Sequence, residues 1–337
     1  MSDLFDTLSE RVDELASRTA FSGVARVDVA DEEPFTLAYG LADRRHGIPN
    51  TVDTRFGIAS GTKGFTALTV VSLIAERTLD LRTPARSILR DDLPLIDDRV
   101  TVEDLLAHRS GIGDYFDESQ LGDTNDYVLT VPVHRLGATE DYLQVLDGFP
   151  AVFDPGERFA YNNGGYVVLA LLAERASGVP FAELVRQRVC EPAGMERTAF
   201  LRSDELPGDA TIGYLHADGL STNVFHLPVL GVGDGGIFTT VGDVATLWSA
   251  FLDGRIVPEP WVREMLRPRS HSVEESRRHG LGFHLHETRD LIWLEGSDPG
   301  ISFFSTHDPS DGTTATVIAN VSDSWDVAIL LDELLGF

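Results

Sequence analysis

The chain has 337 residues, a length that favours two domains over one. Its 42% hydrophobic and 24% charged residues are ordinary proportions for a globular protein. The formal net charge of −27 argues against nucleic acids and anionic membranes as binding partners.

The N-terminal third predicts a helix, a β-hairpin and a second helix. Apolar residues recur at helical spacing from Leu4 to Leu15, after an acidic start that lacks an apolar signal core. We therefore expect a cytoplasmic protein. Residues 21–29 and 35–41 alternate between apolar and polar, and the turn residues 31–34 separate them, which predicts a hairpin. No segment is long and apolar enough to predict a membrane span.

The run from Thr66 to Ala75 is apolar on nearly every side and lacks Pro and Gly, which predicts a buried helix entered at Ser60. Lys63 is the only lysine of the chain and follows Ser60 by one helical turn, so the two side chains share a face. Arginine stays charged in proteins, whereas burial can remove the proton of a lysine. Ser60 and Lys63 are therefore a candidate nucleophile and base.

The middle of the chain predicts helices and loops. A capping pattern at residues 101–104 opens a short helix, and residues 111–155 are polar and turn-rich, as in a lid or an irregular wall. Clear helices are predicted at residues 166–176 and 181–190. The single cysteine, Cys190, allows no intrachain disulfide and is interpreted as a structural thiol.

The C-terminal part predicts strands again. After helices at 244–252 and 261–266, strands are predicted at 280–287, 291–294, 301–307 and 314–320, followed by a helix at 325–335. Strands at both ends indicate an α+β fold, in which one antiparallel sheet is built from both chain ends and flanked by helices. Residues 1–82 and 232–337 would form this sheet domain. Residues 83–231 would form an inserted, mainly helical domain, with Ser60 at the boundary between the two domains.

A serine hydroxyl is a weak nucleophile until a neighbouring base removes its proton. Besides Lys63, Tyr161 is a candidate base, because a tyrosine near a buried ammonium group can lose its proton more easily. Taken alone, the segment around Tyr161 fits an ordinary helix start with a packed tyrosine equally well.

Ser60-Gly61-Thr62-Lys63 and Tyr161-Asn162-Asn163 resemble the S-x-x-K and Y-x-N motifs of the serine beta-lactamase, penicillin-binding protein and related esterase superfamily. Further stretches are similar to the same family, in order along nearly the whole chain: residues 105–111, 155–159, 235–240 and 280–283. The resemblance implies a beta-lactamase/transpeptidase-like fold. It also implies an enzyme related to the class C beta-lactamases that forms an acyl-serine intermediate and needs no cofactor.

The resemblance makes Ser60 the acylated nucleophile and Lys63 with Tyr161 the proton-transfer pair. Asn163 would contact the acyl side of the substrate. Gly296 matches the glycine of the family's third motif. The backbone N–H of Ser297 would join that of Ser60 in an oxyanion hole.

The third motif departs from the family pattern at one position. Leu294 stands where the family usually has Lys or His, and Glu295 is adjacent. Without the cation, recognition of a penicillin-like carboxylate should be poor, so a neutral ester or amide is favoured. Alternatively, an Arg or His from elsewhere in the chain takes its place.

Other patterns suggest different functions. Residues 231–236 match G-x-G-x-x-G, but a strand-like segment follows instead of the helix that a dinucleotide site requires. His284 and His286 suggest a metal site, although histidines on a strand are more often structural. His108 is an alternative partner for Ser60, but no G-x-S-x-G elbow accompanies it, so a structural role is favoured. We expect neither a cofactor nor a bound metal ion.

These patterns together predict a serine hydrolase acting on a carboxylic ester or a small amide or peptide, of the esterase or D-amino-acid peptidase type. The alternatives are a DD-peptidase of the penicillin-binding or beta-lactamase type, an acyltransferase, and an acyl-sensing module without turnover. The expected partner is a small-molecule substrate, with neither nucleic acid nor membrane. The sequence does not predict an oligomeric state.

Overall fold

The computed structural model describes residues 2–117, 122–272 and 276–337. The strands of this part of the chain are β1 (Gly23–Asp28), β2 (Phe35–Tyr39), β3 (Leu41–Asp43), β4 (Ile48–Pro49), β5 (Phe56–Gly57), β6 (Ala199–Phe200), β7 (Ile237–Thr239), β8 (Ser270–Ser272), β9 (Arg277–His279), β10 (His284–His286), β11 (Ile292–Asp298), β12 (Ile301–His307) and β13 (Thr314–Ala319). The α-helices are α1 (Ser2–Thr19), α2 (Thr62–Ala75), α3 (Arg86–Leu89), α4 (Val102–Leu106), α5 (Leu143–Leu146), α6 (Asn163–Ser177), α7 (Phe181–Val185), α8 (Glu191–Ala193), α9 (Val241–Leu252), α10 (Glu259–Met265) and α11 (Asp326–Leu335).

The main sheet has the strand order β2-β1-β13-β12-β11-β10-β9-β8, and its neighbouring strands are antiparallel. Gly23 of β1 lies opposite Ala319 of β13, so strands from the two ends of the chain are neighbours in this sheet. The predicted fold class, an antiparallel sheet built from both chain ends and flanked by helices, is confirmed.

The sheet has an apolar core on each face. On one face, α1 and α11 cover the sheet, with Leu8 and Leu331 packed near Val317. On the other face, a larger core joins α2, α6 and α9 to the sheet, and Ile318 belongs to it. Val317 and Ile318 point to opposite faces because successive strand side chains alternate, so β13 is buried on both sides.

The helix after Ser60 is buried along its length, as its apolar sequence predicts. Every residue from Thr62 to Ile74 is buried. The α-helix begins at Thr62, and Ser60 lies in a 3₁₀ turn, Ala59–Gly61, immediately before it. Ser60 therefore lies at a helix entrance, not within the helix.

The helix ends follow local chemistry. The Thr101 hydroxyl accepts the backbone N–H of Asp104, and the Asp104 carboxylate accepts the backbone N–H of Thr101, which makes the predicted capping box before α4. Asn162 caps α6 through the backbone N–H of Gly165, and Gly178 ends this helix in the left-handed conformation with φ of 74°.

Several short strands were not predicted. Within residues 280–287 only His284–His286 is a strand, and β5, β6, β8 and β9 lie in segments without a strand signal, whereas β7 lies in the strand-like segment after residues 231–236. Strands of two or three residues are too short to show an alternating pattern. The predicted helix at 181–190 is α7 followed by a π-helical turn, Arg186–Cys190.

Residues 118–121 of the predicted lid lie outside the described residues. The division into a sheet domain and an inserted helical domain stays a prediction. Across the part of the chain that is described, we find no helix with the length and apolar character needed to cross a bilayer.

Candidate active site

Ser60 lies on a strained turn that β11 approaches closely. Ala59 has φ of 45°, a left-handed conformation that an L-residue rarely adopts. Gly296 of β11 faces this turn, and a Cβ atom there would come within 2.3 Å of the Ile58 carbonyl oxygen and 2.7 Å of the Ser60 nitrogen. Only glycine therefore fits at position 296. The third motif lies against the backbone of the serine, where its predicted role requires it.

The Lys63 side chain is buried, with 4% of its surface exposed, and it reaches back to the serine. Its Nζ lies 2.8 Å from Ser60 Oγ and hydrogen-bonds to it. The same nitrogen donates to Asn163 Oδ1 at 2.8 Å and to the Asp234 carbonyl oxygen at 2.9 Å. Three polar groups from distant parts of the chain thus converge on the only lysine.

Tyr161 approaches the lysine with its ring. Lys63 Nζ lies 4.9 Å from the centroid of the Tyr161 ring, within the range of a cation–π contact. The tyrosine ring also stacks on His108, with ring centroids 4.5 Å apart. The Nδ1 atom of His108 accepts the backbone N–H of Asn162 at 3.1 Å. Burial lowers the pKa of His108 well below its usual range, and the nearby His279 acts in the same direction. His108 is therefore a neutral ring that supports Tyr161.

Asn163 is held in place at the start of α6. Its Nδ2 donates to the Phe116 carbonyl oxygen at 2.9 Å, which leaves Oδ1 directed at Lys63. The Asp114 carboxylate accepts the backbone N–H groups of Asn163 at 2.6 Å and Gly164 at 2.9 Å. Burial raises the pKa of Asp114 to about 7, and these backbone donors act in the opposite direction. No sequence pattern singles out Asp114.

The G-x-G-x-x-G segment is a turn that supplies a hydrogen-bond acceptor to the lysine. A Cβ atom on Gly233 would lie 2.1 Å from the Tyr166 carbonyl oxygen, so the turn packs directly on α6. The strand β7 follows the segment, as the sequence indicated. The Asp234 carboxylate accepts the Tyr115 hydroxyl at 2.5 Å, and burial raises the pKa of the Asp234 carboxyl. Asp234 was not predicted as a site residue, because the contact with Lys63 uses its backbone carbonyl group, which no side-chain pattern reveals.

The Leu294 side chain is almost fully buried and points away from solvent. It packs on α2 at Gly64, where a Cβ atom would come within 2.7 Å of Leu294 Cδ2. A cation does lie near this motif, but on another strand. Arg277 of β9 forms an ion pair with Glu295, and Glu295 also accepts the Trp293 indole N–H at 3.0 Å. The basic group near the third motif is thus paired with a carboxylate of the same motif.

Two cavities meet at Ser60. An enclosed cavity of about 420 Å³ contacts Ser60, Asn163 and Asp234. An open cleft of about 1030 Å³ contacts Ser60 from the other side, together with Tyr161 and Ser297. Five of the six predicted site residues line these two spaces: Ser60, Tyr161, Asn163, Gly296 and Ser297. The sixth, Lys63, is in direct contact with Ser60. Their chemical roles stay predictions.

His284 and His286, considered as metal ligands, have other partners. The ring centroid of His284 lies 4.6 Å from that of His279, and His284 stacks on Trp293. The Nδ1 atom of His286 accepts the backbone N–H of Thr288 at 3.1 Å. Burial lowers the pKa of His279 and His284 well below the usual range. Within residues 2–117, 122–272 and 276–337, no group of three or more His, Cys, Asp or Glu side chains is arranged to hold a metal ion.

The fold and this constellation of Ser60, Lys63, Tyr161 and Asn163 correspond to a known class of protein. The family model described as Beta-lactamase matches residues 7–334, so the chain belongs to the Beta-lactamase family. The crystal structure of a penicillin binding protein from Bacillus halodurans is similar, with a TM-score of 0.89 and 34% sequence identity over 96% of this chain and 99% of the other.

Several curated relatives have enzyme names, among them an aminopeptidase and an esterase. A D-aminopeptidase of Brucella anthropi is 30% identical over 280 residues, which are 79% of this chain and 49% of that protein. Esterase EstB of Burkholderia gladioli is 33% identical over 205 residues, 56% of this chain and 50% of that protein. The chain thus spans about half the length of these two relatives. Their names support a serine hydrolase of this superfamily as the class of the chain.

Proposed function

We propose that this chain hydrolyses a carboxylic ester or a small amide, D-amino-acid peptides included, through an acyl intermediate on Ser60. The observation that carries the proposal is the 2.8 Å hydrogen bond between Lys63 Nζ and Ser60 Oγ inside a buried site. A serine next to a group that can accept its proton is the usual arrangement for nucleophilic catalysis.

The contacts of Lys63 are compatible with a neutral amine and with an ammonium group. The Asp234 carbonyl oxygen and Asn163 Oδ1 can only accept hydrogen bonds, so they take the two N–H groups that a neutral amine has. The lone pair of the nitrogen is then left for the hydroxyl proton of Ser60. In the protonated state, the third N–H donates to Ser60 Oγ instead. The same three contacts therefore serve both protonation states.

The reaction follows from these positions. Ser60 Oγ attacks the substrate carbonyl carbon, its proton passes to the base, and the carbonyl oxygen becomes an oxyanion between the backbone N–H groups of Ser60 and Ser297. The C–O or C–N bond then breaks, and the leaving alcohol or amine takes the proton. Water attacks the acyl-serine, the acid leaves, and Ser60 regains its hydrogen. Lys63 and Tyr161 share the proton transfer as a coupled pair, and the assignment of the base stays open between them.

The charges near the third motif support a substrate that carries no carboxylate in the part that faces this motif. Leu294 offers no cation, and Arg277 is paired with Glu295. The names of the D-aminopeptidase and esterase relatives support the same substrate classes. The similarity to a penicillin binding protein keeps DD-peptidase activity as the second candidate.

Labelling with a fluorophosphonate probe tests the proposal. We expect the intact mass to increase by one probe, with the modification mapped to Ser60 and absent in Ser60→Ala. Steady turnover of p-nitrophenyl acetate after the burst supports a hydrolase. A burst without turnover indicates an acyl sensor, and acceleration by an added alcohol with a new ester product indicates an acyltransferase. Labelling of another residue would exclude the proposed nucleophile.

A further inference from the structure

We propose that the enclosed cavity beside Ser60 binds the acyl part of the substrate, and that this acyl group is large, apolar and free of negative charge. The inference rests on the proposed acyl-serine function and adds a substrate class to it. Three features support it: the side of Ser60 on which the cavity lies, its apolar lining and the sign of its charges.

The position of Tyr161 distinguishes the two sides of Ser60. A carbonyl group bonded to Ser60 Oγ directs one substituent towards each cavity. The leaving group must receive a proton, so it lies on the side of a proton-transfer group, and Tyr161 lines the open cleft. The acyl substituent then enters the enclosed cavity, whose wall includes Asn163.

The walls of the enclosed cavity are mostly apolar. The aromatic rings of Tyr115, Phe116 and Tyr127 form part of the lining, and aliphatic side chains that include Leu129 and Leu227 complete it. A volume of about 420 Å³ is far more than an acetyl group needs and lies within the range of sites for drug-sized ligands.

The apolar surface continues to solvent at the edge of the cavity. Ile48 and Val224 line the cavity and are 42% and 39% exposed. Phe225, next to Val224 in sequence, is 83% exposed. Exposed apolar side chains beside an apolar cavity indicate a surface that meets an apolar ligand. A chain that extends beyond the cavity would contact these side chains.

The charges of the lining disfavour an acyl carboxylate. Asp234 and Asp298 both line the cavity, and Asp234 carries the carbonyl oxygen bound by Lys63. The guanidinium group of the lining, on Arg45, is paired with Asp43 at 3.1 Å. His226 is a further titratable side chain of the lining. Carboxylates therefore outnumber the available cation, and a neutral or positively charged acyl group fits better than an anionic one.

A series of p-nitrophenyl esters tests the size and charge of the acyl group. Each buried methylene group favours binding by up to about fourfold, so we expect kcat/KM to rise at least about tenfold from acetate to octanoate. We expect p-nitrophenyl hemisuccinate, whose acyl group ends in a carboxylate, to react at least about tenfold more slowly than p-nitrophenyl pentanoate. Equal kcat/KM values along the series would overturn the proposal, and so would a hemisuccinate that reacts faster than the pentanoate.

Two neighbouring residues provide a matched pair of variants. Leu129 lines the cavity, whereas the adjacent Val128 is 81% exposed and lies outside the lining. Leu129→Trp should lower the ratio of octanoate to acetate kcat/KM at least about tenfold, because the indole fills part of the cavity. Val128→Trp should leave that ratio unchanged. Thermal unfolding of each variant confirms that it folds, and an unchanged ratio in folded Leu129→Trp would contradict the proposal.

A binding measurement separates this proposal from the proposed function. Octanamide and acetamide are titrated calorimetrically into the full chain carrying Ser60→Ala, which cannot form an acyl-enzyme. We expect octanamide to bind at least about tenfold more tightly, and Leu129→Trp to remove the difference. If Ser60 is unlabelled by the fluorophosphonate and no ester is hydrolysed, the proposed function fails, while this titration still decides what the cavity binds. No preference for octanamide would refute the inference about the cavity.

Discussion

Lys63 is the residue on which the proposed chemistry depends most. Its buried nitrogen contacts the Ser60 hydroxyl and two carbonyl oxygens that fix its position. The sequence alone pointed to this residue, since no other lysine occurs in the chain. The two carbonyl groups could not be predicted, because they come from residues 163 and 234, which only the tertiary fold brings near.

Replacing the lysine with a residue that stays charged tests the proton transfer. We expect Lys63→Arg to lower kcat/KM for p-nitrophenyl acetate by about a hundredfold to ten thousandfold, because a guanidinium group cannot accept a proton. Thermal unfolding confirms that the variant is folded. Full activity in a folded Lys63→Arg protein would refute the role of Lys63 as a base.

His108 gives a second prediction at the residue scale, as a positioning residue for Tyr161. Its φ of 54° favours Asn among the possible replacements, and His108→Asn removes the stacked ring. We expect kcat to fall about tenfold to a hundredfold with a smaller change in KM, and the pH profile of kcat/KM to shift as Tyr161 loses its support.

His284→Asn is the matched control, because His284 is a buried histidine of the same aromatic group whose ring contacts are with His279 and Trp293. An equal loss of kcat in both variants, with no shift in either pH profile, would assign His108 a merely structural role.

At the scale of elements, the approach of β11 to the Ser60 turn determines the geometry of the proposed oxyanion hole. Gly296→Ala places a methyl group 2.3 Å from the Ile58 carbonyl oxygen, so the strand must move away from the turn. We expect kcat to fall about a hundredfold to a thousandfold, the usual effect of losing one oxyanion donor.

Gly242→Ala is a suitable control for this substitution, since a Cβ atom there has nearest neighbours at 3.7 Å. It should change neither kcat nor the unfolding temperature by much. Wild-type kcat in Gly296→Ala would show that the close approach of β11 is not needed for activity.

The helix α11 contains a partly buried carboxyl group whose protonation affects stability. Burial raises the pKa of Asp332 from 3.8 to about 7, and one of its oxygens has no hydrogen-bond partner within the described residues. A raised pKa in the folded state means that the folded chain holds this proton more tightly than the unfolded chain. The contribution to stability is therefore complete below pH 4 and is lost as the pH rises towards 7.

We expect Asp332→Asn to be more stable than the wild type at pH 8, by about 2 kcal/mol in the free energy of unfolding, with the difference disappearing near pH 4. Urea unfolding at both pH values measures it. Asp326→Asn is the control, because Asp326 is exposed in the first turn of the same helix and gains nothing from losing its charge. A difference that does not vary with pH would contradict the assignment to Asp332.

The sequence predicted long elements better than short ones. The strand Ile301–His307 has the predicted bounds, because seven residues show the pattern clearly. The strands β8 and β9 have three residues each, and neighbours in space decide their conformation. The ion pair between Arg277 of β9 and Glu295 depends on these short strands, so the sequence left open whether an arginine lies near the third motif.

For the whole molecule, the net charge of −27 leads to a prediction about salt. Like charges on the surface repel one another and oppose compaction, and salt screens this repulsion over about 10 Å at 0.1 M. We expect the unfolding temperature to rise between 0.05 and 1 M NaCl, as measured by calorimetry. Potassium chloride should act equally if screening is the cause. An unfolding temperature that falls with either salt would show that attractive ion pairs dominate the surface.

The family and the α+β class could be assigned from the sequence because ordered motifs extend along nearly the whole chain, and the family match over residues 7–334 agrees. The extent of the enclosed cavity could not be predicted. Its lining combines side chains from Ala42 to Ile301, and no local pattern indicates which of them share one space.

The pairing of β1 with β13 has a consequence for how the polypeptide acquires its structure during synthesis. The two strands lie about 300 residues apart in sequence, so the hairpin β1-β2 pairs with β13 only after the residues between them have been synthesised. Contacts between such distant segments carry a large loop-closure entropy and form slowly. Refolding from denaturant should therefore be slow.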